Sequence, residues 1–128
     1  MKVLIADDHR LIIEGVKLKL AELDPGIEAV VAMNLDELDR AVAAHADDLD
    51  LVLVDITMPG TQGHQHVAKL RAQAPALPVI VLSGSEDAEL MRSLIDLGVL
   101  GFIPKAYSPD VMLSAIRLVL AGGIYIPP

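Results

Sequence analysis

The sequence predicts a doubly wound α/β domain, a five-stranded parallel sheet with helices on both faces. Three observations carry this. Short aliphatic runs alternate with stretches of helical period along the whole chain. The runs, of which Leu51-Val52-Leu53-Val54 is the clearest, lack polar alternation, as strands buried on both faces require. Each run then stops at a charged, hydroxylic or turn-forming residue. With 128 residues the chain is long enough for one domain that buries about two-thirds of its unfolded surface.

Lys2 to Ala6 is the first strand, ending in Asp7-Asp8. His9 to Leu23 follows as a helix, with Leu11, Ile12, Gly15, Val16, Leu20 and Leu23 near helical spacing. Asp24-Pro25-Gly26 stops it. Glu28 to Met33 is the second strand. Asn34 with Glu37 three residues later makes a capping-box-like start to a helix that runs to His45. Asp47, Asp48 and Asp50 form a solvated loop before the third strand, which ends at Asp55. There Met58-Pro59-Gly60 breaks the backbone, because proline fixes φ and glycine permits positive φ. A helix with Val67, Leu70 and Ala74 inward leads past Pro75 and Pro78 to the fourth strand, Val79 to Leu82, ending in Ser83-Gly84-Ser85. Glu86 to Leu97 is the next helix, with Ser85 as its expected cap and Gly98 as its stop. Gly101-Phe102-Ile103 is a short fifth strand closed by Pro104-Lys105. Proline has no N–H to give a neighbour, so this strand belongs at an edge. Ser108-Pro109 starts a last helix reaching about Ala121, and Gly122-Gly123 ends it. The common strand order for such a chain is 2-1-3-4-5, with strands one and three adjacent at the switch point.

Composition narrows the function. Hydrophobic content is 53% with 2% aromatic, and mean hydropathy is +0.51. Yet no apolar stretch approaches the ~18 residues of a membrane span, and the start is too soon acidic for a signal peptide. Zero cysteines exclude a disulfide framework and a zinc–thiolate site, and suit the cytoplasm. The net charge of −8 argues against this segment gripping nucleic acid through phosphates.

In the 2-1-3-4-5 order the carboxyl ends of strands one and three bring Asp7, Asp8 and Asp55 together. Taken alone, Asp55 reads equally as a loop carboxylate capping a nearby amide. Three clustered carboxylates repel, and a hard divalent cation such as Mg²⁺ answers that repulsion. The fourth strand adds the Ser83 hydroxyl and Gly84 amide, and the fifth adds Lys105. Acidic cluster, metal, hydroxyl, amide and lysine together are equipment for a phosphoryl group, with Asp55 as carboxylate nucleophile.

The set Asp7-Asp8, Asp55 with Met58-Pro59-Gly60, Ser83-Gly84 and Phe102-Ile103-Pro104-Lys105 resembles the receiver domain of bacterial two-component response regulators, which has a flavodoxin-like fold. The resemblance covers about Met1 to Gly122, leaving 123–128 as the start of a linker or tail. It implies a signalling switch rather than an enzyme, one that assists its own phosphorylation and dephosphorylation. Asp55 would accept a phosphoryl group from a sensor histidine kinase. Asp8, Asp55 and the Thr57 carbonyl would bind Mg²⁺, with Asp7 acting through a metal-bound water. Ser83 and Lys105 would hold phosphoryl oxygens beside Thr57 and Gly84, and Phe102 would turn inward when Ser83 moves. The ending from Ser108-Pro109 to Tyr125 is similar to receivers preceding a LuxR-type helix-turn-helix, DNA-binding output domain, which implies either a fragment of a longer transcription regulator, the favoured reading, or a naturally single-domain receiver. Many receivers follow the lysine with proline in a cis bond; here Ala106 follows, and the expectation is a cis bond that aims Lys105 inward.

Rival readings are a Mg²⁺-dependent aspartyl-nucleophile phosphatase, a flavodoxin-like cofactor binder and a non-phosphorylated receiver-like module. The first usually separates its two aspartates by one residue, whereas Asp7 and Asp8 are adjacent. The second wants a Ser-, Thr- and Gly-rich loop where this chain places carboxylates. All four histidines are expected in solvent, although His9 adjoins the acidic pair. Leu90, Met91, Leu94, Met112 and Leu113 either pack the core or form a homodimer surface on helix four, strand five and helix five.

Overall fold

A computed structural model describes residues 1–127. Its strands are β1 (Lys2–Ala6), β2 (Glu28–Ala32), β3 (Leu51–Asp55), β4 (Val79–Ser83) and β5 (Gly101–Pro104). Helices α1 (Arg10–Leu23), α2 (Leu35–His45), α3 (Gln65–Gln73), α4 (Ala88–Asp96) and α5 (Pro109–Leu120) alternate with them. All strand pairs are parallel and the order is β2-β1-β3-β4-β5. The sequence had predicted that order.

Strand side chains alternate between two cores, as a period of two demands. Val3, Ile5, Leu51, Leu53, Ile80, Leu82 and Ile103 pack under α1 and α5. Leu4, Ala6, Val52, Val54, Val81 and Phe102 pack on the other face, against Leu38, Val67, Leu70 and Leu94 of α2, α3 and α4. The central strands β3 and β4 are buried along their whole length. No polar residue can stand in them, so every polar group of these strands is displaced to a strand end.

The caps follow the sequence with one correction. Asn34 accepts a hydrogen bond from Glu37 N at 2.8 Å, and Glu37 returns one to Met33 N at 2.9 Å. Ser108 caps α5 with Pro109 behind it. The cap of α4 is Asp87, not Ser85: its carboxylate accepts from Glu89 N at 2.9 Å. Ser85 instead accepts from Asp87 N, because the loop takes one more turn before the helix begins.

One packing expectation changes. On α1 the core face is Ile13, Val16 and Leu20, whereas Leu11 and Leu18 point to solvent. Leu94, Met112 and Leu113 are buried, and Leu90 and Met91 pack partly against the core. Packing accounts for three of these five residues, while Leu90 and Met91 keep part of their surface on the outer side of α4.

The edge of β5 is not bare. Tyr125 N donates to Leu100 O at 2.9 Å and Phe102 N to Tyr125 O at 3.2 Å, so the segment after α5 adds one parallel bridge to the sheet. Pro128, assigned to that tail, lies outside the described residues. Among the described residues no helix is long and apolar enough to cross a membrane.

Candidate functional site

Register assembles the site. β1 and β3 pair up to Ala6 with Val54, so the next step sets Asp7 beside Asp55. β3 and β4 pair up to Asp55 with Leu82, and β4 and β5 up to Ser83 with Pro104. Four strand ends thus converge on one rim, where Asp8, Asp55, Thr57, Ser83, Gly84 and Lys105 line a single open cleft.

Asp7 and Asp55 are almost fully buried, while Asp8 keeps about a third of its side chain in water, at 33%. Lys105 binds them together. Its Nζ donates to Asp55 Oδ2 at 2.7 Å and lies 3.0 Å from Asp7 Oδ2. Partial burial pulls the Lys105 ammonium down, but its contacts with Asp55 and Asp7 outweigh that and hold it above the usual lysine value. Asp55 Oδ1 accepts from Thr57 N at 3.0 Å, so both carboxylate oxygens have a protein donor. The solvent-facing His9 also joins the cluster: Nδ1 lies 3.0 Å from Asp7 Oδ1 and 3.0 Å from Lys105 Nζ.

The donor set fits a hard divalent cation. Oxygens of Asp7, Asp8 and Asp55 and a nitrogen of His9 lie within 4.8 Å of one another. Asp7 Oδ2 and Asp8 Oδ1 are buried without a hydrogen-bond donor among the described residues. The Lys105 ammonium, 3.0 Å away, is the cation beside Asp7 Oδ2, whereas Asp8 Oδ1 has the His9 imidazole 3.4 Å away. Buried carboxylate oxygens of this kind need a cation or water to complete them.

Comparison with known proteins turns this geometry into a family. The model of the response regulator receiver domain matches residues 3–117. The chain belongs to the response regulator receiver family. It is 38% identical over 127 residues to the glycerol metabolism activator of Pseudomonas putida, covering 99% of this chain and 57% of that protein. It is 38% identical over 116 residues to the nitrate/nitrite response regulator protein NarP of Escherichia coli (strain K12), covering 91% and 53% respectively. The chain thus spans little more than half the length of these relatives. The crystal structure of a LuxR family DNA-binding response regulator from Silicibacter pomeroyi superposes with a TM-score of 0.83 at 31% identity, covering 99% of this chain and 97% of that one. Receivers of response regulators are mainly signalling switches rather than enzymes, and relatives of this chain include a transcriptional activator protein, ExaE, and a transcriptional regulatory protein, DegU.

Within this receiver one backbone expectation changes. All peptide bonds among the described residues are trans, including Lys105–Ala106, so the expected cis bond is absent. Lys105 needs none: its own N–H donates to Ser83 O at 2.7 Å, which already points the side chain across the rim. Ser83 is fully buried, and its hydroxyl donates to Ser85 O at 2.9 Å. Phe102 is buried in the core at the same time.

His66 corrects the histidine reading. It is 5% exposed, and its Nε2 lies 2.9 Å from the carbonyl oxygen of Asp55 itself. Burial pushes the imidazole below its usual value, against an opposing pull from the Asp55 carbonyl. Its burial has one signal in the sequence, since His66 stands four residues before Leu70 on the inward face of α3, but nothing there names the Asp55 carbonyl as its partner.

Proposed function

We propose that this chain is a phosphoacceptor switch that receives a phosphoryl group on Asp55 from the phosphohistidine of a sensor histidine kinase. The observation that carries this is Asp55 at the floor of an open cleft, with Thr57 N–H on one oxygen and the Lys105 ammonium on the other. Those donors fix the carboxylate, and cleft access leaves room for in-line approach. A carboxylate oxygen forms the new P–O bond as the P–N bond of the donor breaks. The electron pair leaves on the donor imidazole nitrogen.

Asp7, Asp8 and Asp55, with the Thr57 carbonyl, are the groups that would hold Mg²⁺. When bound, the ion neutralises charge on the phosphoryl oxygens. Lys105 provides a fixed positive charge for one of those oxygens, and the Gly84 amide and Ser83 hydroxyl are near enough on the rim to serve others. For Ser83 this means leaving Ser85 O, a local change that can shift the population of the β4–α4 loop. Phe102 sits one strand away as the aromatic that senses it. Residues 1–122 form the receiver and 123–128 begin a linker to a DNA-binding output domain of the cytoplasmic transcription regulator to which this segment belongs.

Incubation with acetyl phosphate and Mg²⁺ tests the reading by intact mass. The expected result is one added phosphoryl group, absent in Asp55→Asn and after chelation with EDTA. Equal labelling of the Asp55→Asn protein would overturn it.

A further inference from the structure

We infer that His66 is a positioning residue for phosphoryl acceptance at Asp55, an inference that rests on the phosphoacceptor reading above. β3 ends at Asp55, and its pairing with β1 closes at Ala6 and Val54, so the Asp55 carbonyl lies past the last rung of that ladder. It takes its hydrogen bond from the imidazole of His66, 2.9 Å away, in the first turn of α3. A carbonyl can only accept, so the imidazole proton is on Nε2. Nδ1 then carries a lone pair, and it is buried with no partner among the described residues. His66 is thus committed to one bond, and that bond ends on the acceptor residue.

Its effect reaches the carboxylate through the backbone. Holding the Asp55 carbonyl holds the peptide plane between Asp55 and Ile56. The Thr57 N–H that donates to Asp55 Oδ1 at 3.0 Å hangs from the following residue. The same carboxylate presents Oδ2 to Lys105. His66 therefore stands behind the acceptor, ties α3 to the end of β3, and keeps the Thr57 amide on one oxygen. A leucine could fill similar volume but would leave the buried carbonyl without a donor, and the loop would turn to find one. Misplacement of an attacking oxygen lowers the rate of transfer more than it weakens donor binding.

The test compares His66→Leu and His66→Gln with wild type in the full chain. Phosphoryl uptake from acetyl phosphate at saturating Mg²⁺ is followed by intact mass over a range of donor concentrations, with urea unfolding in parallel. In this uptake the new P–O bond forms on Asp55 as the P–O bond to acetate breaks and acetate leaves with the electron pair. His66→Leu should lower the maximal rate about tenfold while leaving the half-saturating donor concentration unchanged. His66→Gln, whose amide nitrogen can stand where Nε2 stands, should return to within about threefold of wild type. A loss of packing alone gives no such rescue. A folded His66→Leu protein that works at the wild-type rate, or a His66→Gln protein as slow as the leucine variant, overturns the inference. The wild type supplies a check that needs no variant: ¹⁵N spectra should show the Nε2–H tautomer of His66, and the Nδ1–H tautomer would overturn it. A wild-type chain that takes up no phosphoryl group overturns the phosphoacceptor reading as well.

Discussion

Lys105 shows how much one side chain settles in this cleft. Its ammonium contacts the carboxylates of both Asp7 and Asp55, which face each other across a strand boundary with little access to water. Replacing Lys105 with methionine keeps the stem and removes the charge. In metal-free buffer we expect Lys105→Met to lower the unfolding free energy by about 1–3 kcal/mol, since two buried carboxylates lose their cation. Mg²⁺ should then stabilise the variant more than the wild type, because the ion takes over the lost neutralisation. Urea unfolding with and without Mg²⁺ measures both, and an identical Mg²⁺ increment in the two proteins would count against this account. The carboxylates and the lysine were legible in the sequence because each directly follows a buried aliphatic run or its closing proline. His66 was not, because its partner is a backbone carbonyl, and no residue pattern announces where a carbonyl lacks a rung. The direction of the Ser83 hydroxyl was equally silent, since its acceptor, Ser85 O, is again a backbone carbonyl.

At the scale of elements, the loop after β3 holds the cleft open, and Gly60 is its fixed point. Gly60 has φ of +93°, and a Cβ there would stand 3.0 Å from Leu35 Cβ. Next to it, Pro59 O accepts from Leu35 N at 3.0 Å, tying the loop to the start of α2. Gly60→Ala adds strained backbone and a collision at this junction, and should cost about 1–3 kcal/mol in chemical unfolding. A change below a few tenths of a kcal/mol would mean that the loop relaxes freely. Strands and helices were read correctly because β3 and β4 are too apolar to be anything but buried, and Pro25, Gly60, Pro78 and Gly98 mark their limits. Helix faces were read less well. Leu11 fits a helical stripe as well as Ile13 does, and only the position of α5 beside α1 decides which of them is covered. The cap of α4 slipped from Ser85 to Asp87 for a similar reason: serine and aspartate are both good caps, and the loop length chose between them.

For the whole molecule, the four strand ends form one end of the sheet, and the tail binds its far edge. Pro104 predicted β5 at that edge, but nothing in residues 122–127 suggested a bridge. The Tyr125 N–H bond to Leu100 and the Phe102 N–H bond to Tyr125 connect the strand that carries Phe102 and Lys105 to the segment leaving the domain. Tyr125→Pro removes the first of these donors. Amide exchange at Phe102 should then accelerate about tenfold or more, as the bridge opens without the sheet unfolding. Unchanged protection at Phe102 would show that the tail contributes nothing to the edge. The central claim, that Asp55 itself becomes the aspartyl phosphate, is tested most directly by trapping it. Borohydride reduction of the acetyl-phosphate-treated protein, followed by peptide mapping, should convert residue 55 to homoserine and leave Asp7 and Asp8 as aspartate. Homoserine at position 7 or 8, or a phosphoryl group retained on a serine, threonine or histidine, would contradict it.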